Sequence, residues 1–515
     1  MRTRGPVILF TAMVLAACGT MEPNSKFSQA ATGNNVVAGP GDSTVAGGTV
    51  PGGGPSAANP SGGTVPGGGP SPSGGTVPGG GPSPSGGANN GGGGANNGGG
   101  GAANFASDVG VTANTITIGN VTGVSGALGP NAFGVTLTGL KVWVAAQNAL
   151  GGINGRRIIL QSCDDSQDSS QNLTCTQQLI PKVFAFISNN SLSSSVSAHA
   201  EYQAGIPDLG FPLNNGYFKY PNMFSTYGTD YPRDGKQVGF HGTLEQTPGI
   251  YKWFAQHLHV TRAAVFFYSQ QASQQQGKAS ESDAKSAGIN TVYEGGGSSG
   301  ENLAAPNFDS DVLAMKNMGA NAPQVIFDAM DTNGNEKLCQ SMDRFGFTVA
   351  AKVSTIEVWT QQLGTPAWSK TCRNSVYVAT SSLSYADTGN PEVAKYAAAF
   401  AKYAPGALQS EFGFQGYANG QIFADAVASM GANVTRKGFI GWLANLPPLD
   451  RPDTYNDHGL LGPISFRVDD PKVPRADCNV IAQWQDTAGT FVTRAPLTPC
   501  YEDPLIPTAA VDDGS

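Results

Sequence analysis

The residues of this 515-residue chain whose types suit chemistry are five histidines, two overlapping glycine patterns and seven cysteines. Gly296-Gly297-Ser298-Ser299-Gly300 fits the outline of a nucleophile elbow, in which a strained turn lifts a serine to attack an acyl carbon. Gly295 to Gly300 also fits G-x-G-x-x-G, the spacing that lets a backbone approach a pyrophosphate. Both chemistries need a strand, a tight turn and a helix around the motif, and that context is missing here. His199, His241, His257, His259 and His458 show metal-ligand spacing only at His257 and His259. That pair alternates along a short segment and reads as facing solvent. No C-x-x-C occurs, so zinc and thioredoxin-like sites lack support. No triad emerges, and neither a cofactor nor a metal is expected. The chain reads as a protein that is not an enzyme.

The remaining question is what scaffold such a chain builds. Arg2 and Arg4 followed by the apolar run Val7 to Leu15 form an export signal over residues 1–17, too short to span a bilayer comfortably. Leu15-Ala16-Ala17-Cys18-Gly19 resembles a bacterial lipobox, which implies a lipid on Cys18 and a tether to the outer face of the membrane. Residues 18–107 read as a disordered linker. The unit Gly-Gly-Thr-Val-Pro-Gly-Gly-Gly-Pro-Ser begins at Gly47, Gly62 and Gly74, and almost nothing large and apolar accompanies it. Such a spacer reaches on the order of 50 Å and suits a thick cell wall, as in a Gram-positive, actinobacterial source. Beyond Cys18 stand Cys163, Cys175, Cys339, Cys372, Cys478 and Cys500, an even set in an exported chain. Of the fifteen pairings, Cys163–Cys175, Cys339–Cys372 and Cys478–Cys500 is the simplest because each closes a short loop. A net charge of −8 argues against nucleic acid as a partner.

Folded character runs from 108 to about 505. Thr115 to Val121, Arg157 to Gln161, Val183 to Ser188 and Ile206 to Phe211 read as strands, and so do Arg262 to Tyr268, Asn290 to Tyr293 and Gln324 to Ala329. Helical spacing runs over Val135 to Gln147, Gln276 to Ala287 and Val312 to Met318. This alternation predicts parallel α/β sheets, and the length predicts two lobes. Between the first helix and the second strand lies Leu150-Gly151-Gly152-Ile153-Asn154-Gly155-Arg156, a helix stop and a strand start in a few residues.

That segment, with Asp164-Asp165 after it, Ser125 to Gly129 before it, Ala204-Gly205-Ile206-Pro207, Gly416-Tyr417-Ala418-Asn419 and Gly462-Pro463-Ile464-Ser465-Phe466, resembles the type I periplasmic-type solute-binding proteins. The branch is the one serving branched-chain amino acid and amide ABC importers. The resemblance covers essentially the whole chain outside the linker. It implies two Rossmann-like lobes joined by three crossovers, lobe I about 108–230 and 382–450, lobe II about 231–381 and 451–500. It also implies a monomer that closes on a small solute and delivers it to an ABC permease. Two other readings remain: a ligand-sensing domain for a signalling partner, and a wall-displayed enzyme or adhesin.

In such sheets ligands lie beyond the carboxyl ends of the strands. The loops at Ser125, at Asn190, Ser191 and Ser193, and at Phe211 lie there; the resemblance puts the solute carboxylate against the last two, and Phe211, Tyr227 and Trp359 are candidates for apolar walls. The same serines would also serve as helix caps, and the aromatics as core. On the second lobe it places Gln271 in the loop Ser269 to Ser273, where a tyrosine common in relatives is absent. Glu357, and after it Asp331, stand where relatives carry an acid that pairs with the solute ammonium. A half-buried acid needs a cation or donors, which points the same way.

Overall fold

The computed structural model describes residues 103–227, 231–447, 454–466, 475–497, 500–503 and 505–510. The export signal, Cys18 and all but the last five residues of the linker lie outside them. The first sheet has the order β2-β1-β3-β4-β5, all parallel, from β1 (Thr115–Thr122), β2 (Arg157–Asp164), β3 (Phe186–Ile187), β4 (Asp208–Gly210) and β5 (Met223–Ser225). Helices α1 (Gly134–Ala149), α2 (Ser169–Leu179) and α3 (Ala198–Gln203) connect them. After β6 (Thr243–Gln246) and α4 (Gly249–Leu258) a second sheet begins with β7 (Arg262–Phe267), α5 (Gln271–Ser286), β8 (Asn290–Glu294), α6 (Asp309–Asn317), β9 (Val325–Ala329), α7 (Thr332–Phe345), β10 (Ala351–Ser354), α8 (Lys370–Arg373) and β11 (Val376–Thr380). The chain then returns to the first lobe as α9 (Pro391–Tyr403), α10 (Glu411–Met430) and α11 (Arg436–Ala444). It ends with β12 (Arg475–Asp477), β13 (Val480–Gln485), β14 (Thr490–Ala495), β15 (Tyr501–Asp503) and β16 (Ile506–Ala510).

The second sheet runs β14-β13-β11-β10-β9-β7-β8, parallel except for the antiparallel β13 and β14 at one edge. Two small ribbons, β12 with β15 and β16 with β6, complete the described pairing. The expected two α/β lobes are present, and the chain crosses between them three times. The crossings brace one another. Leu383 N donates to Leu460 O across the second and third, and the buried Arg233 of the first donates to Phe466 O of the third. Among the described residues no helix is long and apolar enough to cross a membrane.

The expected strands and helices appear with trimmed or extended ends. The run Val183 to Ser188 narrows to Phe186–Ile187 because Ser188 takes a left-handed φ of 59° and turns the chain away. The Gly151 to Arg156 turn behaves as its residues require. Gly151 (φ 98°) and Gly152 (φ 78°) end α1, and Asn154 (φ 49°) with Gly155 (φ 78°) reverses the chain into β2. Arg156 is fully enclosed, and its guanidinium donates to the carbonyls of Gly431 and Ala432 just past the end of α10. A cation there answers carbonyls that a helix end leaves without partners. The turn thus lies at the amino end of the sheet and docks a helix 275 residues further on.

Helix α10 fills the first lobe. It packs against α1 so closely that a Cβ on Gly139 would overlap the Gly413 carbonyl, and one on Gly416 the carbonyl of Thr136. The three disulfides follow nearest-neighbour order: Cys163–Cys175, Cys339–Cys372 and Cys478–Cys500. The second spans 33 residues and links α7 to α8 inside the core, where both cysteines are buried. Loop-closure entropy predicts that the Cys339→Ala/Cys372→Ala double variant loses about 3–4 kcal/mol, read from urea unfolding with the other bridges intact.

Candidate functional site

The first lobe's site is set by a ladder of asparagines beyond β1 and β3. Asn120 Nδ2 donates to the Ile187 and Ser188 carbonyls, while Asn189 Oδ1 accepts from Val121 N at 2.7 Å. These bonds hold Ser188 in its left-handed conformation, which a free loop would avoid at a cost of about 1–3 kcal/mol. Asn190, Ser191 and Ser193 follow as one buried loop. Asn190 Nδ2 is committed to Thr136 Oγ1 at 2.8 Å, and Ser191 Oγ accepts from Ser193 N at 3.0 Å. The serines thus start a turn while their loop faces the carboxyl ends of the strands. Ser125 stands apart from this group. It is exposed, with its hydroxyl 2.8 Å from Ser166 Oγ at the end of β2.

Phe211 joins a wall built by both lobes. Leu128, Phe133, Phe211 and Phe412 from the first lobe pack with Ile356 of the second, and Phe211 meets Phe412 edge-on at 5.0 Å. Tyr227 adjoins Phe211 at 6.2 Å, and its hydroxyl turns inward to Gln415 Oε1 at 2.7 Å. Trp359 is buried in the second lobe's core against Phe491 and walls nothing.

On the second lobe Asp331 caps α7. Its carboxylate accepts from Asn333 N, Gly334 N and the Tyr268 hydroxyl, the last at 2.6 Å. These three donors take up most of its accepting capacity within the protein. Tyr268 directly follows β7, and its phenol is turned to Asp331 at the start of α7. Gln271 is exposed on the first turn of α5. A cleft of about 250 Å³ runs between Ala127–Leu128 and the start of α7, lined also by Tyr268, Leu303 and Asp331. Hydrogen bonds also cross between the lobes here, from Asn333 Nδ2 to Leu128 O at 2.7 Å and from Gln275 Nε2 to Asn215 Oδ1 at 3.0 Å.

Glu357 follows β10 in a short 3-10 turn and is 8% exposed. Its Oε2 has no hydrogen-bond partner. Burial, then the charges of Asp331 and Asp328, push its carboxyl well above the usual carboxylate range. Asp328 itself is held by Lys352 at 2.8 Å, both side chains fully enclosed between β9 and β10. Burial pulls the Lys352 ammonium down, and Asp328 opposes that.

Glu411 and Gln415, which sequence reasoning did not single out, come from the first turns of α10. Glu411 accepts from Ser382 Oγ and from Tyr385 N, and its own N–H donates to Trp359 O across the lobes. Burial pushes its carboxyl up to about 8, against the pull of those two donors. A folded-state value above the unfolded one stabilises the fold below about 4.5 and loses that stabilisation as pH rises toward about 8. Wild type therefore loses stability over that window by up to about 1.4 kcal/mol per pH unit, and Glu411→Gln flattens the slope in urea midpoints measured across it.

The sequence profile described as periplasmic binding protein matches residues 115–489. A fatty acid ABC transporter substrate-binding protein from Thermomonospora curvata is similar in structure, with 16% identity and a TM-score of 0.59, over 79% of this chain and 95% of its own. A solute binding protein of an ABC transporter from R. palustris, in complex with benzoate, aligns with 14% identity and a TM-score of 0.56, over 77% and 99%. A leucine binding protein from Thermotoga maritima aligns with 14% identity and a TM-score of 0.55, over 75% and 99%. At these identities the likeness is one of fold. No curated protein matches the chain.

Proposed function

The chain belongs to the periplasmic binding protein family, and from that premise we propose that it is the extracytoplasmic solute receptor of an ABC importer. Its solute is an amino acid or small amide, with a branched-chain amino acid as the first choice. The observation that carries this reading is Glu357: a buried carboxyl with an unpartnered oxygen, on the lobe that also carries Asp331 and Asp328, next in sequence to a residue of the apolar wall. An ammonium group answers such an oxygen, and Phe211, Phe412 and Ile356 suit an aliphatic body. The Asn190 to Ser193 loop on the facing lobe is the place for the solute carboxylate. The similar structures named for a fatty acid, for benzoate and for leucine suit ligands that join an apolar body to a carboxylate. What sets this chain's choice among them is the acid on the second lobe, which on losing its proton pairs with an ammonium group that a fatty acid and benzoate lack.

Closure would bring the lobe of 108–230 with 382–450 onto that of 231–381 with 451–500, and a membrane permease would receive the solute. Cys18, lipidated, would tether the receptor as a monomer at the outer face of the membrane. Isothermal titration against leucine, isoleucine, valine, short amides, benzoate and a fatty acid tests the reading. Saturable micromolar binding of an aliphatic amino acid without turnover is the expected result. Binding of benzoate or the fatty acid with none of the amines, or consumption of the ligand, overturns it.

A further inference from the structure

We propose that Asp425, Asp457 and His458 form a binding site for a divalent transition-metal cation such as Zn²⁺, away from the solute cleft. Asp425 lies near the carboxyl end of α10, whereas Asp457 and His458 lie in a 3-10 turn on the third crossing, Asp457–Gly459. One ligand atom from each of the three falls within 4.8 Å of the others. His458 Nε2 is 2.9 Å from Asp425 Oδ2. A tetrahedral zinc ion with bonds of about 2.1 Å spaces its ligand atoms about 3.4 Å apart, so closure needs about 1 Å of side-chain movement.

The hydrogen bonding within the group is short of donors. Tyr455 has a single hydroxyl proton, and its oxygen lies 2.7 Å from Asp425 Oδ2 and 3.3 Å from Asp457 Oδ1. It can serve one carboxylate fully, not two. Asp457 is completely enclosed, and its Oδ2 has no partner at all. Burial, then the neighbouring Asp425 charge, hold its carboxyl well above the ordinary range, and Glu392 adds to the negative charge nearby. A cation removes both deficits: it occupies the free oxygen and neutralises the paired acids. One imidazole nitrogen with two carboxylates is a borderline donor set, which suits zinc or a similar ion better than calcium or magnesium, whose sites are all oxygen. Spacing along the chain could not show this group, since Asp425 and His458 are 33 residues apart.

The test is titration of ZnCl₂ into untagged full-length protein pre-treated with EDTA, by calorimetry and by thermal unfolding, with CaCl₂ and MgCl₂ in parallel. The expected result is one zinc equivalent bound at this site, a rise in Tm, and affinity at least ten-fold weaker in His458→Ala and in Asp425→Asn. His458 is half exposed, so its replacement leaves the fold in place. Absence of stoichiometric zinc binding overturns the proposal, and so does binding that both variants leave unchanged. Equal binding of calcium overturns the assignment to a transition metal.

Discussion

Glutamine in place of Glu357 is expected to weaken binding of an α-amino solute by about 2–5 kcal/mol, from roughly thirty-fold to a few thousand-fold in Kd. The loss arises because the ammonium group is then left desolvated against a neutral amide. Without solute, burial and then the charges of Asp331 and Asp328 push the wild-type carboxyl well above the usual carboxylate range, which favours its protonated form. Pairing with an ammonium requires the proton to leave. Wild-type affinity should therefore rise with pH until the pH passes Glu357's raised pKa, and Glu357→Gln should show no such slope. The empty variant should be at least as stable as wild type, because an amide carries no charge to desolvate. Calorimetry across pH, beside urea unfolding of both proteins, separates the two effects. Unchanged affinity in the variant would remove Glu357 from the site.

Lys352→Met carries the larger penalty in stability. The lysine is fully enclosed, pairs with Asp328 at 2.8 Å, and lies within reach of Ser354 Oγ at 2.9 Å and of Asn335 Oδ1. Removing it takes the cation away from the Asp328 carboxylate in a closed space, where Ser354, the Asn335 amide and Met330 N remain as donors. Breaking a buried pair from one side costs about 3–5 kcal/mol, whereas replacing both partners by apolar residues is often near neutral. Urea unfolding of Lys352→Met should show the full loss, and the double variant with Asp328→Leu should recover most of it. Equal losses in both would mean that the cluster's hydrogen bonds, rather than its charges, hold β9 to β10.

How far the residues announced this arrangement differs from place to place. The Gly151 to Arg156 turn was legible because its glycines and its asparagine have few other uses. It stands at the end of the sheet remote from the solute, as a loop from helix to strand must. The Asn190 to Ser193 loop and Glu357 are marked in the sequence by their place after strands, and their role in binding is the proposal that the titrations above test. Tyr268 gave no separate signal because it continues an apolar strand run, and its bond to Asp331 joins residues 63 apart. Glu411, Gln415, Phe133 and Phe412 gave no local signal. They enter the site only because α10 crosses α1 at a glycine contact, and that contact joins segments more than 270 residues apart. Local spacing carries no record of such a meeting. The Asp425, Asp457 and His458 group is hidden for the same reason.

The docking of Arg156 onto the end of α10 also sets the order of events when the chain folds. The first lobe holds β1 to β5 in residues 115–225, yet α10, which covers Leu140, Trp143 and Phe184, ends only at Met430. A chain made amino end first must keep that half-sheet uncovered while the whole central part of the second lobe is still to come. Parallel pairing and contacts of this sequence separation are slow to form. The first lobe can reach its final packing only late, after most of the second lobe's strands are available. When the full chain refolds from urea, burial of Trp143 should therefore fall in a late phase, and the interval before it is when the chain is most exposed to aggregation or proteolysis.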